Sequence, residues 1–260
     1  YNPNNRIQLD LSSVRNRAVT DVFEPGSTVK PFTVAVALES GLDMGYTIDT
    51  SPGFLKVDDA VIKDPRNRGT LDLGGILAYS SQVGISRLAL SLNEYDIWKQ
   101  FQTLGFGEVT GVGFPGESSG FLPNRRRWKD IERVTFAYGY GLTVTPLQLA
   151  SAYSTIASGG IKREVTLIAD QTSKGERVMN AQIAFQLQSM LGRVITEGTG
   201  KKAAIESYDV GGKTGTARKI GKNGYDDTRH IAFFAGFAPQ YSPRFVGVVL
   251  INEPKTEQVG

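Results

Sequence analysis

Four residues near the start of the chain, Ser27-Thr28-Val29-Lys30, place an alcohol and an amine three positions apart. On a helix that spacing puts both on one face, so the Lys30 amine can reach the Ser27 hydroxyl. A serine alcohol is inert at neutral pH and needs a base. A lysine serves only if burial or a neighbouring cation lowers its pKa from about 10.4 in water. Lys213 supplies a second cation downstream. If Ser27 opens a helix, backbone N–H groups and the helix dipole stand beside it and favour developing negative charge. Two other segments offer matching chemistry. Ser80-Ser81-Gln82 falls in a break between helical patterns, where a hydroxyl can relay a proton and an amide can hold a substrate carbonyl or order the lysine. Lys213-Thr214-Gly215-Thr216 reads as a strand on which Thr214 and Thr216 share a face, and two hydroxyls beside an ammonium suit a substrate carboxylate. Gly215 is expected to let another backbone approach closely. Each segment alone has an ordinary structural reading: a chance match, a Ser-rich helix break, a glycine-flanked edge strand.

Composition narrows the chemistry further. The 260 residues include no cysteine and one histidine, His230. Disulfides, thiol nucleophiles, zinc ribbons and iron–sulfur sites are excluded, and a Ser-His-Asp machine could use only His230. What remains is Ser, Lys, Tyr, Asp or Glu. The net charge of +3 is mild. The one dense basic run, Arg125-Arg126-Arg127-Trp128-Lys129, is closed by Asp130 and Glu132 and reads as a solvated loop, so no nucleic-acid partner is expected. No apolar stretch approaches a membrane span. The opening Tyr1-Asn2-Pro3-Asn4-Asn5, without an initiator Met, reads as a piece excised from a longer protein.

Three other patterns lack their structural context. Gly111-Val112-Gly113-Phe114-Pro115-Gly116 has dinucleotide-type spacing, but neither a strand before it nor a helix after it. Gly116-Glu117-Ser118-Ser119-Gly120 matches a nucleophile elbow yet runs into Phe121-Leu122-Pro123. Gly212-Lys213-Thr214 resembles the end of a phosphate loop, but position 207, where the first glycine belongs, is Ser207.

The elements that must position these groups follow from periodicity. A helix is predicted from Ser27, with Pro31 in its first turn, an apolar face of Phe32, Ala35, Val36 and Leu38, and Gly41 as C-cap. Two short helices are predicted at Leu71 to Leu77 and Val83 to Leu92, broken at Ser80-Ser81, and a third at Tyr95 to Leu104. Gly105 to Pro123 reads as an irregular connection. Helical periodicity returns at Pro146 to Ala157 and at Ala181 to Ile195, the latter with Ile183, Phe185, Leu187, Met190, Leu191 and Val194 apolar. Three strands close the chain: Tyr208 through Ala217, Ile231 to Ala238 and Phe245 to Ile251, the last two joined across Pro239-Gln240-Tyr241-Ser242-Pro243. No internal repeat is visible, so one α+β domain over 1–260 is expected, a sheet with helices packed on it.

Ser-x-x-Lys, then Ser-x-Gln, then Lys-Thr-Gly, in that order, resembles the signature set of penicillin-binding proteins and serine β-lactamases. Longer runs are similar to the transpeptidase domain of class B penicillin-binding proteins, the division-specific (septal) type of Gram-negative bacteria. They are Arg15-Asn16-Arg17, Thr20 through Pro31, Asp130-Ile131-Glu132-Arg133, Tyr138-Gly139-Tyr140-Gly141, Thr145 through Ala150 and Gly236-Phe237-Ala238-Pro239. The resemblance implies the penicillin-binding protein/serine β-lactamase-like fold, an antiparallel sheet with helices on both faces and a mainly helical subdomain. It implies Ser27 as acylated nucleophile, Lys30 as its base and Ser80 as proton relay. Lys213, Thr214, Gly215 and Thr216 would bind the substrate carboxylate, with the Ser27 and Thr216 backbone N–H groups as oxyanion hole. No metal or cofactor is implied. The implied substrate is a peptidoglycan stem peptide ending in D-Ala-D-Ala, with β-lactams acylating Ser27. Implied partners are the septal glycosyltransferase and divisome proteins, at the periplasmic face of the inner membrane. A membrane anchor, a pedestal domain and a C-terminal closing helix of such proteins are expected outside 1–260, leaving this fragment soluble. Gln82 stands where the family usually has Asn, one methylene longer, which is expected to alter how some β-lactam side chains are held. A β-lactam-hydrolysing enzyme, which would need a further base poised on a water, and a β-lactam-binding sensor or silent scaffold are the alternative functions.

Overall fold

The computed structural model describes residues 15–171, 173–221 and 224–255. The reading of the start at Tyr1 to Asn5 lies outside the described residues. After the short helix α1 (Arg17–Thr20), a 3-10 turn (Gly26–Val29) leads directly into α2 (Lys30–Glu39). Two small antiparallel pairs follow, in which β1 (Thr47–Asp49) pairs with β4 (Thr70–Asp72), and β2 (Phe54–Val57) with β3 (Ala60–Lys63). Helices α3 (Leu73–Ala78), α4 (Gln82–Ser91), α5 (Glu94–Thr103), α6 (Asp130–Ala137) and α7 (Pro146–Ala157) make the helical part. A minor pair, β5 (Ile161–Lys162) and β6 (Glu176–Arg177), precedes the long helix α8 (Ala181–Thr196). Strands β7 (Gly211–Gly221), β8 (Gly224–Ala238) and β9 (Phe245–Asn252) then form an antiparallel sheet in that order, with β7 at an edge. No helix among the described residues is long and apolar enough to cross a membrane.

The α2 helix is the axis of the core. Every residue from Lys30 to Leu38 is buried, and it packs against α4, α5 and α8. Phe32 sets its ring edge-on to Phe106 and Tyr153, at 6.1 and 5.6 Å between centroids. Each such buried ring contributes about 1.5–3 kcal/mol of transfer free energy, enough to carry two polar residues of the same segment, Thr28 and Lys30, inside with it. Helices α7 and α8 lie against each other and against the sheet, α8 on β7 and α7 on β8 and β9. Along β9 the alternate residues Val246, Val248 and Leu250 pack on the core, while Phe245, Val249 and Ile251 are exposed.

Several sequence expectations shift. Ser27 lies in the 3-10 turn rather than in the α-helix, which starts at Lys30 with Pro31 in its first turn, and the C-cap is Ser40, with Gly41 one position beyond at φ +98°. Leu71 belongs to β4, not to a helix, because Asp72 caps α3 by accepting the Gly75 N–H. Phe185 is exposed, since it falls two positions from Ile183 and Leu187 and so on the opposite face of α8. Strand β7 begins at Gly211, and Tyr208 instead pairs back onto Ile205. The helix at 130–137, the short helix at 17–20 and the three small strand pairs carry too few residues for periodicity to reveal.

Candidate active site

The three chemical segments converge. Ser27 sits at the mouth of α2, Ser80 in the turn between α3 and α4, and Thr214, Gly215 and Thr216 on β7. With Pro65, Tyr79, Gln82, Tyr140 and Thr199 they line one cleft of about 220 Å³. A larger hollow of about 460 Å³, lined by residues 110–112, 164–168, 171 and 173, contains none of these groups. Chemistry rather than volume marks the site.

The nucleophile's turn is held by backbone contacts that only glycine allows. Gly26 has φ +48°, and its N–H donates to the Gly139 carbonyl at 3.1 Å. A Cβ on Gly139 would stand 2.2 Å from the Gly26 oxygen, so the Tyr138-Gly139-Tyr140-Gly141 segment fits against the turn backbone to backbone. Glu24, buried, accepts the Gly141 N–H at 2.9 Å and the Tyr225 hydroxyl at 3.1 Å, fixing that segment from the other side. The Thr216 carbonyl points at Gly26, 3.3 Å from where a Cβ would be. The N–H and C=O of a strand residue point to the same side, so the Thr216 N–H also faces the Ser27 turn, away from β8. At Gly215 the atoms nearest to an added Cβ belong to a side chain. The space a side chain would take there is filled by the Phe233 ring, directly opposite on β8.

Ser80 has a left-handed backbone, φ +56°, which turns both its carbonyl and its hydroxyl toward Lys30. The Lys30 Nζ donates to the Ser80 carbonyl at 2.7 Å, to Ser80 Oγ at 3.2 Å and to the Ser81 carbonyl at 3.4 Å. Ser80 Oγ in turn donates to Ser27 Oγ at 3.0 Å. The lysine thus reaches the nucleophile through Ser80, rather than by the direct helix-face contact expected of an i,i+3 pair. Lys30 is fully buried, and desolvation pushes its pKa down to about 7 against an opposing attraction from Asp64. Lys213 is also fully buried. Burial first, and then the charge of Lys30, hold it well below the ordinary lysine range. Its Nζ donates to the Thr214 carbonyl at 3.3 Å, behind the strand, while the Thr214 and Thr216 side chains face the cleft. The Tyr138 ring lies 6.0 Å from the Lys30 Nζ, and burial pushes its hydroxyl up to about 12, so it stays neutral beside the amine.

Gln82, the first residue of α4, lines the cleft, and its backbone N–H donates to Asp64 Oδ1 at 2.6 Å. His230 lies within β8, opposite Arg218, half-buried and outside the cleft. The rejected glycine pattern at 111–116 is a loop whose three glycines all have positive φ, and Ser118 and Ser119 lie in irregular chain far from any strand-to-helix elbow. Three residues of the site have no sequence motif of their own. Asp64 follows β3, Glu24 precedes the nucleophile turn, and Thr199 shares a hydrogen bond with the Thr214 hydroxyl at 2.9 Å. The flanking glycines of Thr199 were its only signal. A Cβ on Gly198 would lie 2.2 Å from the Ala78 carbonyl, which also accepts the Thr199 N–H.

A serine in hydrogen-bonded line with a buried lysine of lowered pKa, facing an edge strand that carries hydroxyls, is an arrangement able to activate an alcohol as a nucleophile. The sequence matches the family described as Penicillin binding protein transpeptidase domain over residues 1–260, and the chain belongs to that family. Within it the chain is of the class B, FtsI-like type. It is 44% identical over 258 residues to the peptidoglycan D,D-transpeptidase FtsI of Escherichia coli K12, covering 98% of this chain and 44% of that one. The probable peptidoglycan D,D-transpeptidase PenA of Neisseria flavescens is 41% identical over 257 residues, with 98% of this chain and 64% of the relative covered. Among solved structures, the apo transpeptidase domain of Burkholderia pseudomallei penicillin-binding protein 3 superposes with a TM-score of 0.89 at 40% identity, over 93% of this chain and 75% of that one. The expected fold class holds. The chain spans under half the length of the E. coli relative.

Proposed function

We propose that this domain is a serine D,D-transpeptidase that cross-links peptidoglycan stem peptides ending in D-Ala-D-Ala through an acyl-enzyme on Ser27. The observation that carries the reading is the line Lys30–Ser80–Ser27, with an amine whose pKa burial brings to about 7. With Lys30 neutral, the direction of both hydrogen bonds reverses. Ser27 Oγ bonds to the carbonyl carbon of the penultimate D-Ala, and its proton passes through Ser80 to Lys30. The C–N bond to the terminal D-Ala then breaks, and the proton returns along the same line to the departing nitrogen. The Ser27 and Thr216 N–H groups receive the carbonyl oxygen as it gains charge. Thr214 and Thr216, backed by Lys213, take the terminal carboxylate. An amine of a neighbouring stem peptide attacks the ester, gives up its proton and frees Ser27. A β-lactam enters by the same attack, but its broken amide stays tethered, which blocks the second amine. For the whole protein we infer a septal role, beside a septal glycosyltransferase and divisome proteins at the periplasmic face of the inner membrane, a reading supported by the sequence runs similar to the septal type.

Intact-mass measurement after incubation with benzylpenicillin tests the reading. One stoichiometric adduct that maps to Ser27 and is absent from S27A is expected, with slow turnover of nitrocefin. No adduct points to a silent scaffold, and rapid nitrocefin hydrolysis to a β-lactamase.

A further inference from the structure

Asp64 is a charged residue beside the site that the proposed chemistry does not use. It follows β3, and its own N–H donates to the Gly53 carbonyl at 2.9 Å, so its backbone is anchored in the base of the β2–β3 hairpin. Its carboxylate is saturated by the middle chemical segment. Oδ2 accepts the Ser81 hydroxyl at 2.5 Å, while Oδ1 accepts the N–H groups of Gln82 at 2.6 Å and Val83 at 3.2 Å. Ser81 already caps α4 by accepting the Gly84 N–H at 2.8 Å. The carboxylate therefore adds a second set of bonds at the same helix start, where the dipole favours negative charge. Those bonds fix the residues on both sides of the Ser81 carbonyl, which is itself a partner of the Lys30 amine.

Four groups that ionise or carry charge lie around the Lys30 amine or act on it. They are Asp64 after β3, Lys213 on β7, Tyr138 after α6 and the Ser27–Ser80 hydroxyl line. Lys213 repels an ammonium, and Tyr138 is neutral. Asp64 is the anion of the set, and its field acts on Lys30.

We propose that Asp64 is a positioning residue for acylation. It locks the Ser80–Gln82 turn in the shape that aims Ser80 at both Lys30 and Ser27, and it is the counter-charge to the buried Lys30 amine. The proposal rests on the transpeptidase reading. A purely structural cap would do the first and not the second, and the two separate in a pH profile.

The experiment is the single-turnover acylation rate with benzylpenicillin from about pH 5 to 9. It is run on the wild-type domain, on D64N, on D64S (which still offers an oxygen to the amides) and on S81A (which keeps the charge but loses the bond to Asp64 and the cap on Gly84). Without the carboxylate a Lys30 ammonium is less favoured, so the limb on which acylation rises with pH moves to lower pH in D64N and D64S, by about one unit. Their plateau rates fall by on the order of tenfold as the turn loosens. S81A loses rate on the plateau but keeps the wild-type limb. A limb that stays put in both charge-removing variants overturns the proposal, as does one that moves as far in S81A as in D64N. If D64N and D64S do not fold, S81A decides: a wild-type limb with a reduced plateau supports the proposal, and an unchanged plateau overturns it. Failure of the wild-type domain to form a Ser27 adduct overturns the transpeptidase reading as well, which separates that failure from one confined to Asp64.

Discussion

Replacing Gly139 by Ala tests how tightly backbone contacts hold the nucleophile. Gly139 has φ +94°, and an added Cβ would lie 2.2 Å from the Gly26 oxygen and 2.5 Å from its nitrogen. Real Cβ contacts essentially never fall under 3.0 Å, so the two segments must part by at least about 0.8 Å, the gap between 2.2 and 3.0 Å. Both contacts are backbone, so no side chain can swing aside to absorb the move. The positive φ costs an alanine about 1–2 kcal/mol and the overpacking about 1–3, roughly 2–5 kcal/mol together. For a domain of this size that lowers the melting temperature by about 5–15 °C. Gly26 precedes Ser27, so the shift passes to the nucleophile and stretches its 3.0 Å bond with Ser80 toward about 3.8 Å, out of hydrogen-bond reach. A misplacement of that size costs on the order of 100-fold in rate. Thermal melting and stopped-flow acylation by benzylpenicillin measure both effects. Gly141→Ala is the internal control: φ is +77°, but no atom lies within 4 Å of its Cβ. It is expected to lose only the φ penalty of about 1–2 kcal/mol and to acylate within about threefold of wild type. If G139A acylates as fast as G141A, the Gly26–Gly139 contact does not set the position of Ser27, and the reasoning fails.

Three other changes probe the hydroxyl line and the cleft. Ser80→Ala cuts the only described link between Lys30 and Ser27 and is expected to lower the acylation rate by about 10²–10⁴ with circular dichroism unchanged. Wild-type acylation rises with pH through about 7, because the active amine is the neutral form of a lysine whose pKa is lowered to that value; a flat profile there removes Lys30 as base. Gln82→Asn shortens a cleft-lining amide by one methylene. It is expected to change acylation rates for some labelled β-lactams and not others, and identical rates across several would remove that idea. Thr214→Val deletes a hydroxyl that faces the cleft and bonds Thr199, and should weaken saturation by a carboxylate-bearing β-lactam by about tenfold with little change in the limiting rate; an equal loss in both would assign Thr214 another role.

The long periodic segments were legible because periodicity reports burial directly. Helices α7 and α8 and strand β9 fall close to where their apolar residues repeat, whereas β8 ends as expected but starts at Gly224, seven residues before Ile231. The edge position of β7 and the break at Ser80-Ser81 were also readable, since glycine and serine mark points where a regular element cannot continue. What the sequence concealed are relations between distant residues. The i,i+3 argument puts Lys30 on Ser27, but the turn before α2 is 3-10, so the amine points to Ser80, fifty positions away, instead. Asp64, Glu24 and Thr199 carry no motif of their own because each acts through hydrogen bonds to other segments. At Gly215 the nearest neighbour is the Phe233 ring, whereas Gly26 and Gly139, more than a hundred residues apart, meet backbone to backbone where no pattern in a single sequence pairs them.

Several residues that break ordinary local rules lie together at the cleft, while Asp58, Asp170, Ser207 and Glu253 also hold positive φ elsewhere. Two lysines are fully buried, a serine holds a left-handed backbone, and two glycines meet backbone to backbone within one hydrogen bond of each other. An unpaired buried ammonium costs several kcal/mol, and a left-handed serine about 1–3 more. Such conformations persist only where the surroundings over-determine them, and the α2 core does that. Phe32, Val34 and Val36 cannot leave the interior without taking Lys30 along, and Lys30 cannot stay there fully charged. Hydrophobic burial along one helix is thus converted into a lower proton affinity at its first residue. Acid and base roles in this cleft follow from that conversion, since the same amine placed one turn further out, in water, would hold its proton at neutral pH and leave Ser27 an ordinary alcohol.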